Sequence, residues 1–339
     1  MLDTIHINLK QIISNKIKHK NGWKKSKKNC YKAYKKVELE NGSSIYMAYY
    51  CGQCNLELQF SVPKLLTGTN VTAYNFNQSD VVEHIVVSTI EKELGIQVSI
   101  KDMYICRIDI NRDFVFKKED TAEAVMEFAR KILPLAYEKR EDYPTGFTSL
   151  TAKGNGLRVY RKDLDKHIPK KLREQLDPTV RFEFQMNKKS ATALWGYRPN
   201  LHQVLTNQVS VELVWNKQLG KYGLDKKIVT RQELHQIALE HITQPSLRQS
   251  LKQINDEPSF DNKKERPKQL AVTRRFKELG ICPYSCEVSF TLKIKVCNTI
   301  MTIQRKKKRI WNNTANNYRN NKSIVIDTAI KTKWYLDSS

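Results

Sequence analysis

Alternating hydrophobic and polar residues predict several strands that each have one apolar and one polar face. The opening strand alternates Ile5, Ile7 and Leu9 with polar residues. Four further segments, residues 55–62, 104–111, 157–162 and 179–186, repeat the pattern. In the second of these, counting assigns Tyr104 and Cys106 to the apolar face and Ile105 to the other. The charged and phenolic positions expected on the polar faces are Glu57, Arg107, Asp109, Arg158, Tyr160, Lys162, Arg181 and Glu183.

Segments with helical periodicity lie between and after these strands. Residues 80–94 and 120–133 are amphipathic, and each begins with an Asp-x-x-Glu capping box. Such helices cover the apolar face, so the sequence predicts an α+β fold with a mostly antiparallel sheet and helices on one face. Beyond residue 188 the period is helical, over 191–207, 230–242, 247–254 and 267–279. We therefore divide the chain into an α+β domain (1–189), a smaller helical region (190–286), and a strand with a basic, poorly ordered tail (287–339).

The net charge limits the class of binding partner. The 339 residues include 59 Lys and Arg against 35 Asp and Glu, a formal net charge of +24. This favours a polyanion, either a nucleic acid or an anionic membrane surface. No apolar run is long enough to span a bilayer and the N-terminus lacks a signal-peptide pattern, so we expect no membrane insertion. Seven cysteines, an odd and sparse set, suit reduced thiols in a bacterial cytoplasm.

The densest basic segment runs from Lys16 to Lys36, with ten lysines and no acidic residue. Trp23, Tyr31 and Tyr34 are interleaved with the lysines, and such a mixture can pair with phosphates and stack on bases. A solvated basic loop is the equal alternative. The candidate DNA contacts are Lys24, Lys25, Lys27 and Lys28.

The polar face of the sheet combines three kinds of group. Charges on a generic sheet face usually pair off in solvent, and that reading stays open here. The strands, however, bring together carboxylates that can hold a divalent metal, cations that can bind a phosphate, and a phenol that can act as nucleophile. Those are the parts of an enzyme that transfers phosphodiester bonds to tyrosine.

Short motifs in order along the chain resemble the replication initiators of filamentous phages and related plasmids, rolling-circle nicking proteins of the gene II/X type. The similar segments are Met1-Leu-Asp-Thr-Ile-His-Ile-Asn-Leu9, Glu57 with Ser61-Val-Pro-Lys-Leu-Leu-Thr-Gly-Thr-Asn70, Cys106-Arg-Ile-Asp109, Arg158-Val-Tyr160-Arg-Lys162, Val180-Arg-Phe-Glu183 and Glu278-Leu-Gly-Ile-Cys-Pro283. The likeness ends near Cys286. No His-x-His occurs among the seven histidines, so any metal must be held by carboxylates, which suits Mg²⁺ or Mn²⁺.

The resemblance implies an origin nickase whose 1–189 domain cuts DNA. Tyr160 would attack one phosphodiester of single-stranded or extruded origin DNA, leaving a 5′-phosphotyrosine and a 3′-OH that primes a host polymerase. A host helicase would unwind the duplex, and a homodimer or larger multimer is possible. The implied roles are metal binding for Glu57, Asp109 and Glu183, catalysis for Tyr160, Lys162 and Arg158, and DNA binding for Arg107 and Arg181.

Three alternatives remain open at this point. Tyr143, in Glu141-Asp-Tyr-Pro144, is a rival nucleophile, because related plasmid initiators carry the tyrosine nearer a hairpin tip. A basic protein that grips nucleic acid without cutting it would need the polar face only as a docking surface. A mobilisation relaxase or transposase would use the same chemistry on different DNA.

Overall fold

The computed structural model describes residues 1–10, 22–26, 32–130, 138–151, 154–221, 224–256 and 266–287. All of them fall within one compact unit, Met1–Ile294; the second unit, Lys295–Ser339, lies outside the described residues. The strand and basic tail expected over 287–339 lie outside them too, apart from Glu287. The division into domains therefore stays a prediction.

One antiparallel sheet of ten strands organises the described chain, in the order β2-β3-β4-β5-β1-β6-β10-β9-β8-β7. The predicted α+β class with a mostly antiparallel sheet is confirmed. The strands are β1 (Leu2–Lys10), β2 (Lys24–Lys25), β3 (Lys32–Glu38), β4 (Ser44–Tyr50), β5 (Asn55–Ser61), β6 (Tyr104–Val115), β7 (Glu138–Tyr143), β8 (Gly146–Thr151), β9 (Gly156–Arg161) and β10 (Thr179–Asn187).

The alternation holds along most strands and breaks at one irregular pairing. On β10 the apolar positions Val180, Phe182, Phe184 and Met186 are fully buried, as expected. On β6 the expected faces of residues 104–106 are wrong: Ile105 is 1% exposed in the core, whereas Tyr104 is 38% exposed and Cys106 is half-buried. The pairing of β1 with β6 shifts register between His6 and Ile7, which reverses the faces beyond that point.

Helices cover the apolar face of the sheet. Trp215 on α7 packs on Phe184 of β10 with ring centroids 4.9 Å apart, and buried residues of α2, α3, α5 and α6 join the same core. The polar face is covered in part as well, since Arg181 and Glu183 on β10 are 1% and 3% exposed. The helices are α1 (Val62–Thr67), α2 (Ser79–Leu94), α3 (Glu119–Arg130), α4 (Lys170–Arg173), α5 (Lys188–Trp195), α6 (Leu201–Thr206), α7 (Gln208–Lys221), α8 (Arg231–His241), α9 (Pro245–Asp256) and α10 (Arg266–Glu278).

The helical region after β10 is confirmed with different boundaries. The expected helix over 191–207 is two helices, because Gly196 ends α5 with φ +84° and Asn200 caps α6. The Thr230–Glu233 capping box begins α8. At α2 the expected box does not form, and Glu83 instead contacts the His202 ring at 2.7 Å. No helix in the described part of the chain has both the length and the apolarity to cross a membrane.

Candidate active site

A pocket of about 610 Å³ opens on the polar face of the sheet. It lies where β1, β9 and β10 meet the tip of the β7–β8 hairpin and the segment after β5. Its walls include phenols, carboxylates, an arginine and two lysines, so acidic, basic and nucleophilic groups share one space. The lining residues are Asp3, Thr4, Ser61, Lys64, Asn70, Tyr143, Pro144, Thr145, Thr148, Arg158, Tyr160, Leu164, Asp165, Lys166, His167 and Glu183.

Strand pairing sets both candidate nucleophiles in one row. Tyr143 pairs with Gly146, Gly146 with Tyr160, and Tyr160 with Arg181. Directly paired residues point to the same side of a sheet, so both tyrosines face the pocket, two strands and about 10 Å apart. Tyr143 stands at the hairpin tip, is 37% exposed, and donates a hydrogen bond to the Phe147 carbonyl at 3.3 Å.

Gly146 makes this row possible. A Cβ atom there would lie 2.6 Å from Tyr160 Cβ and 2.2 Å from the Val159 carbonyl oxygen, far inside contact distance. Only glycine allows the hairpin strand to approach the backbone of Tyr160 so closely. Gly146 therefore sets how closely β8 approaches β9 at Tyr160.

Burial and a neighbouring carboxylate dominate the electrostatics of the Tyr160 phenol. Arg158 Nη1 donates to Glu183 Oε1 at 3.2 Å beside it. Burial, followed by the charge of Glu183, raises the pKa of Tyr160 above its usual value. Its hydroxyl makes no hydrogen bond with the part of the chain that the structure describes. The raised pKa keeps the phenol protonated at neutral pH, and no described side chain binds its hydroxyl.

Arg181, expected to bind DNA, and Lys162, expected to take part in catalysis, are both buried beside the pocket. Arg181 is 1% exposed, makes a two-pronged ion pair with Asp113, and lies 3.5 Å from Asp3 Oδ2. Lys162 is 2% exposed, and its Nζ has no hydrogen-bond partner and lies 3.9 Å from Asp165. Burial and the nearby Arg181 lower the pKa of Lys162 to about 8. Neither side chain presents a donor at the surface.

The structure does not bring the three expected metal ligands together. Glu57 stands on β5, three strands from Glu183 on β10, and both oxygens of Asp109 accept from Arg107, at 2.9 and 2.6 Å. Among the described residues, no group of three or more His, Cys, Asp or Glu side chains has a metal-binding arrangement. Any divalent cation here must take part of its coordination from substrate phosphates and water, as Mg²⁺ often does.

Asp3 is a site residue that the sequence reasoning missed. Counting by two from Ile5 places it on the apolar face, but a register shift between Leu2 and Ile5 turns it into the pocket. It accepts from Ser61 Oγ at 3.0 Å. Burial, then the charges of Asp3 and Asp109, raise the pKa of Glu183 to about 8. Burying an unpaired carboxylate on the apolar face costs free energy, so an aspartate at an apolar position of the alternation is the sequence signal for the register shift.

Four of the six motifs that carried the family resemblance contribute residues to this pocket. Its lining includes Asp3 of the opening strand, Ser61, Lys64 and Asn70 of the second motif, and Tyr160. These segments are far apart in the chain and meet because β5, β1, β6, β10 and β9 are successive neighbours in the sheet. Glu57 of the second motif lies elsewhere, and the motif segments 106–109 and 278–283 contribute no residue to the lining.

The residues expected to contact DNA differ in their exposure. Lys24 and Lys25 are exposed on β2, whereas Trp23 is 7% exposed and cannot stack on a base. Lys27, Lys28 and Tyr31 lie outside the described residues. The Arg107 side chain is 27% exposed but is held by Asp109.

No family model and no curated protein matches the chain. A comparison with solved structures finds a rolling-circle replication initiator protein from Geobacillus stearothermophilus, with a TM-score of 0.34 and 12% sequence identity over 66% of this chain and 84% of that one. A likeness of this size assigns neither a family nor an activity.

Proposed function

We propose that the protein is a rolling-circle replication initiator that nicks and rejoins origin DNA through a tyrosine. The observation that supports this most is the convergence of separate motifs on one pocket that holds two phenols, Arg158, Glu183 and Asp3. The chemistry needs a nucleophile, a cation for the phosphate and an acid–base group within one cavity. The net charge of +24 suits a DNA substrate.

The reaction exchanges one phosphate ester for another. Tyr160 Oη attacks the scissile phosphorus, the bond to the 3′ oxygen breaks, and a 5′-phosphotyrosine forms while the leaving oxygen takes a proton and becomes a 3′-OH. Arg158, 37% exposed in its side chain, is placed to bind a non-bridging phosphate oxygen when it leaves Glu183. Because the phosphodiester energy is retained, a later attack by a 3′-OH rejoins the strand.

The phenol proton needs an acceptor. Glu183 and Lys162 both lie beside Tyr160 and have pKa values of about 8, near the range in which a general base is effective. Glu183 lines the pocket, whereas Lys162 does not. We assign the acceptor role to Glu183 and a supporting positive charge to the buried Lys162.

A divalent cation fits the site only in part. Glu183 and Asp3 would hold it, because their repulsion helps to raise the pKa of Glu183, and such repulsion is relieved by a cation. When bound, Mg²⁺ or Mn²⁺ would polarise the scissile phosphate. Glu57 is too distant to join the pair, and Asp109 is neutralised by Arg107.

Nicking of the supercoiled replicon with Mg²⁺ or Mn²⁺ tests the proposal. We expect Tyr160→Phe to lose the nick and the protein-linked 5′ end while still binding DNA. Tyr143→Phe should keep both, and Tyr197→Phe, at a half-exposed tyrosine outside the pocket, is the matched control. Loss only in Tyr143→Phe would move the nucleophile to the hairpin tip, and a parent protein that nicks no DNA would refute the enzyme.

A nucleic-acid-binding protein without catalysis is the second candidate. The observation that favours it is the raised pKa of both phenols, Tyr160 and Tyr143, which opposes their ionisation. In that case neither phenylalanine variant would change any activity, and DNA binding would be independent of divalent metal. A relaxase or transposase would show the same nick on other DNA, so the sequence of the cleaved origin separates it from an initiator.

A further inference from the structure

A second cluster of aromatic and basic side chains lies on the same face of the sheet, away from the pocket. It stands on β2, β3 and β4 and is five strands from Tyr160, about 24 Å across the sheet. We call it the tyrosine–lysine surface. Its residues are Lys24, Lys32, Tyr34, Lys36, Tyr46 and Tyr50.

Strand pairing shows that the two sites share a face. Tyr46 pairs with Gln59 on β5, Gln59 with His6 on β1, and His6 with Arg107 on β6. Arg107 lies on the side of β6 that also carries Asp109, Asn111 and Asp113, next to the pocket strands. The polar face of the sheet therefore runs without a change of side from the tyrosine–lysine surface to Tyr160.

The rings are arranged as a platform. Tyr34 and Tyr46 stack with centroids 6.1 Å apart and planes 29° apart, and Lys32 Nζ lies 5.1 Å from the Tyr50 ring and 6.0 Å from the Tyr46 ring. All three rings are partly exposed. The Tyr34 and Tyr46 hydroxyls make no hydrogen bond with the described chain, so no polar contact accounts for these two phenols.

Charge favours an anionic ligand with planar groups. Lys24 and Lys36 are exposed beside the rings, and the acids on this part of the face are Glu38, paired with Lys36, and Glu57. Lysines bind phosphates and tyrosine faces stack on unpaired bases, whereas paired bases in a duplex hide their faces. A solvated surface explains the lysines but not three clustered, partly exposed rings.

We infer that the tyrosine–lysine surface binds single-stranded DNA, stacking unpaired bases on Tyr46, Tyr34 and Tyr50 while lysines hold the backbone. This rests on the proposed function in one respect: the strand bound is the one that reaches Tyr160. The surface would hold the melted origin strand while its scissile phosphate lies in the pocket. The binding itself does not depend on cleavage.

Binding of a fluorescent oligothymidylate, measured by anisotropy with a chelator present so that no cleavage occurs, tests the inference. We expect Tyr46→Ala to bind about tenfold more weakly, the double variant Tyr46→Ala/Tyr50→Ala more weakly still, and Tyr46→Phe like the parent. Tyr197→Ala, at another exposed tyrosine, is the matched control. A melting curve for each variant shows that it is folded.

The outcomes separate this inference from the proposed enzyme. Parent-like binding by the folded double variant would overturn the surface as a DNA site, whether or not the parent nicks DNA. Tighter binding of oligouridylate than of oligothymidylate would overturn the assignment to DNA. Weaker binding in the tyrosine variants together with a parent that nicks no origin would support the surface and refute the nickase. Crosslinking of bromodeoxyuridine DNA to Tyr46 would locate the contact.

Discussion

The two ends of the polar sheet face carry charged and phenolic residues in different surroundings. At the pocket end the arginines are matched to carboxylates: Arg158 to Glu183, Arg107 to Asp109 and Arg181 to Asp113. The carboxylates Asp109 and Glu183 are nearly fully buried. At the tyrosine–lysine surface Lys24 is exposed, and Lys32 lies over tyrosine rings.

The difference teaches that polarity alone does not define a site. Paired, buried charges shift pKa values and hold side chains in place, which is typical of catalytic sites. Partly exposed rings with exposed lysines beside them suit binding of a flexible polymer. Substitutions at each end test this difference, and the largest effect is expected at a buried ion pair.

Arg181→Ala should give the largest loss of stability. It removes the partner of Asp113 and Asp3 from a site that is 1% exposed, and breaking a buried pair in this way costs about 3–5 kcal/mol. Lys36→Ala at the tyrosine–lysine surface should change the free energy of unfolding by no more than about 0.5 kcal/mol. Urea unfolding measures both, and equal midpoints would remove the contrast between the ends.

Gly146→Ala tests whether the row of tyrosines depends on close approach of two strands. The added Cβ would stand 2.6 Å from Tyr160 Cβ, so the hairpin must shift, at a cost of about 1–3 kcal/mol. We expect lower nicking activity with parent-like binding of oligothymidylate. Gly52→Ala is the matched control, because nothing lies within 4 Å of its Cβ position. Unchanged unfolding of Gly146→Ala would show that the strands are looser than described.

The sequence predicted the regular parts of the sheet and not its irregular ones. Strict alternation on β5, β9 and β10 correctly assigned Glu57, Arg158, Tyr160 and Glu183 to the polar face. Two register shifts in the β1–β6 pairing then misplaced Asp3 and Ile105. A bulge is a property of a strand pair, so the pattern of one strand does not reveal it.

The ion-pair partners of charged residues could not be predicted from the sequence either. The pattern could say that Arg181 shares a face with Glu183, but the pairing of β10 with β6 sets it opposite Asp113 and buries it. Only part of the tyrosine–lysine surface could be predicted from the sequence. Tyr34 belongs to the basic segment that the sequence analysis identified. Tyr46 and Tyr50 lie on β4, which is too uniformly apolar and aromatic to show alternation. Sheet order, not composition, joins them.

The pH dependence of stability should report the pocket carboxylates. The pKa of Glu183 rises from 4.5 to about 8 on folding, so the folded state binds an extra proton between those values. Stability from this group is complete below pH 4.5 and is lost as the pH rises towards 8, by up to about 1.4 kcal/mol per pH unit. Glu183→Gln should flatten this fall in urea unfolding at several pH values. An unchanged slope would mean that Glu183 ionises normally.

The salt dependence of single-strand binding should show the smallest but most specific effect. Removing one lysine–phosphate pairing from a single-strand complex lowers the slope of log affinity against log salt by about 0.7. Lys24→Ala and Lys36→Ala should each reduce the slope by about that amount, because both are exposed beside the stacked rings. Lys92→Ala, exposed on α2 where that helix covers the apolar face, should leave it unchanged. Equal slopes in all three variants would place the phosphate-binding groups elsewhere, and the basic end of the sheet would be only a solvated surface.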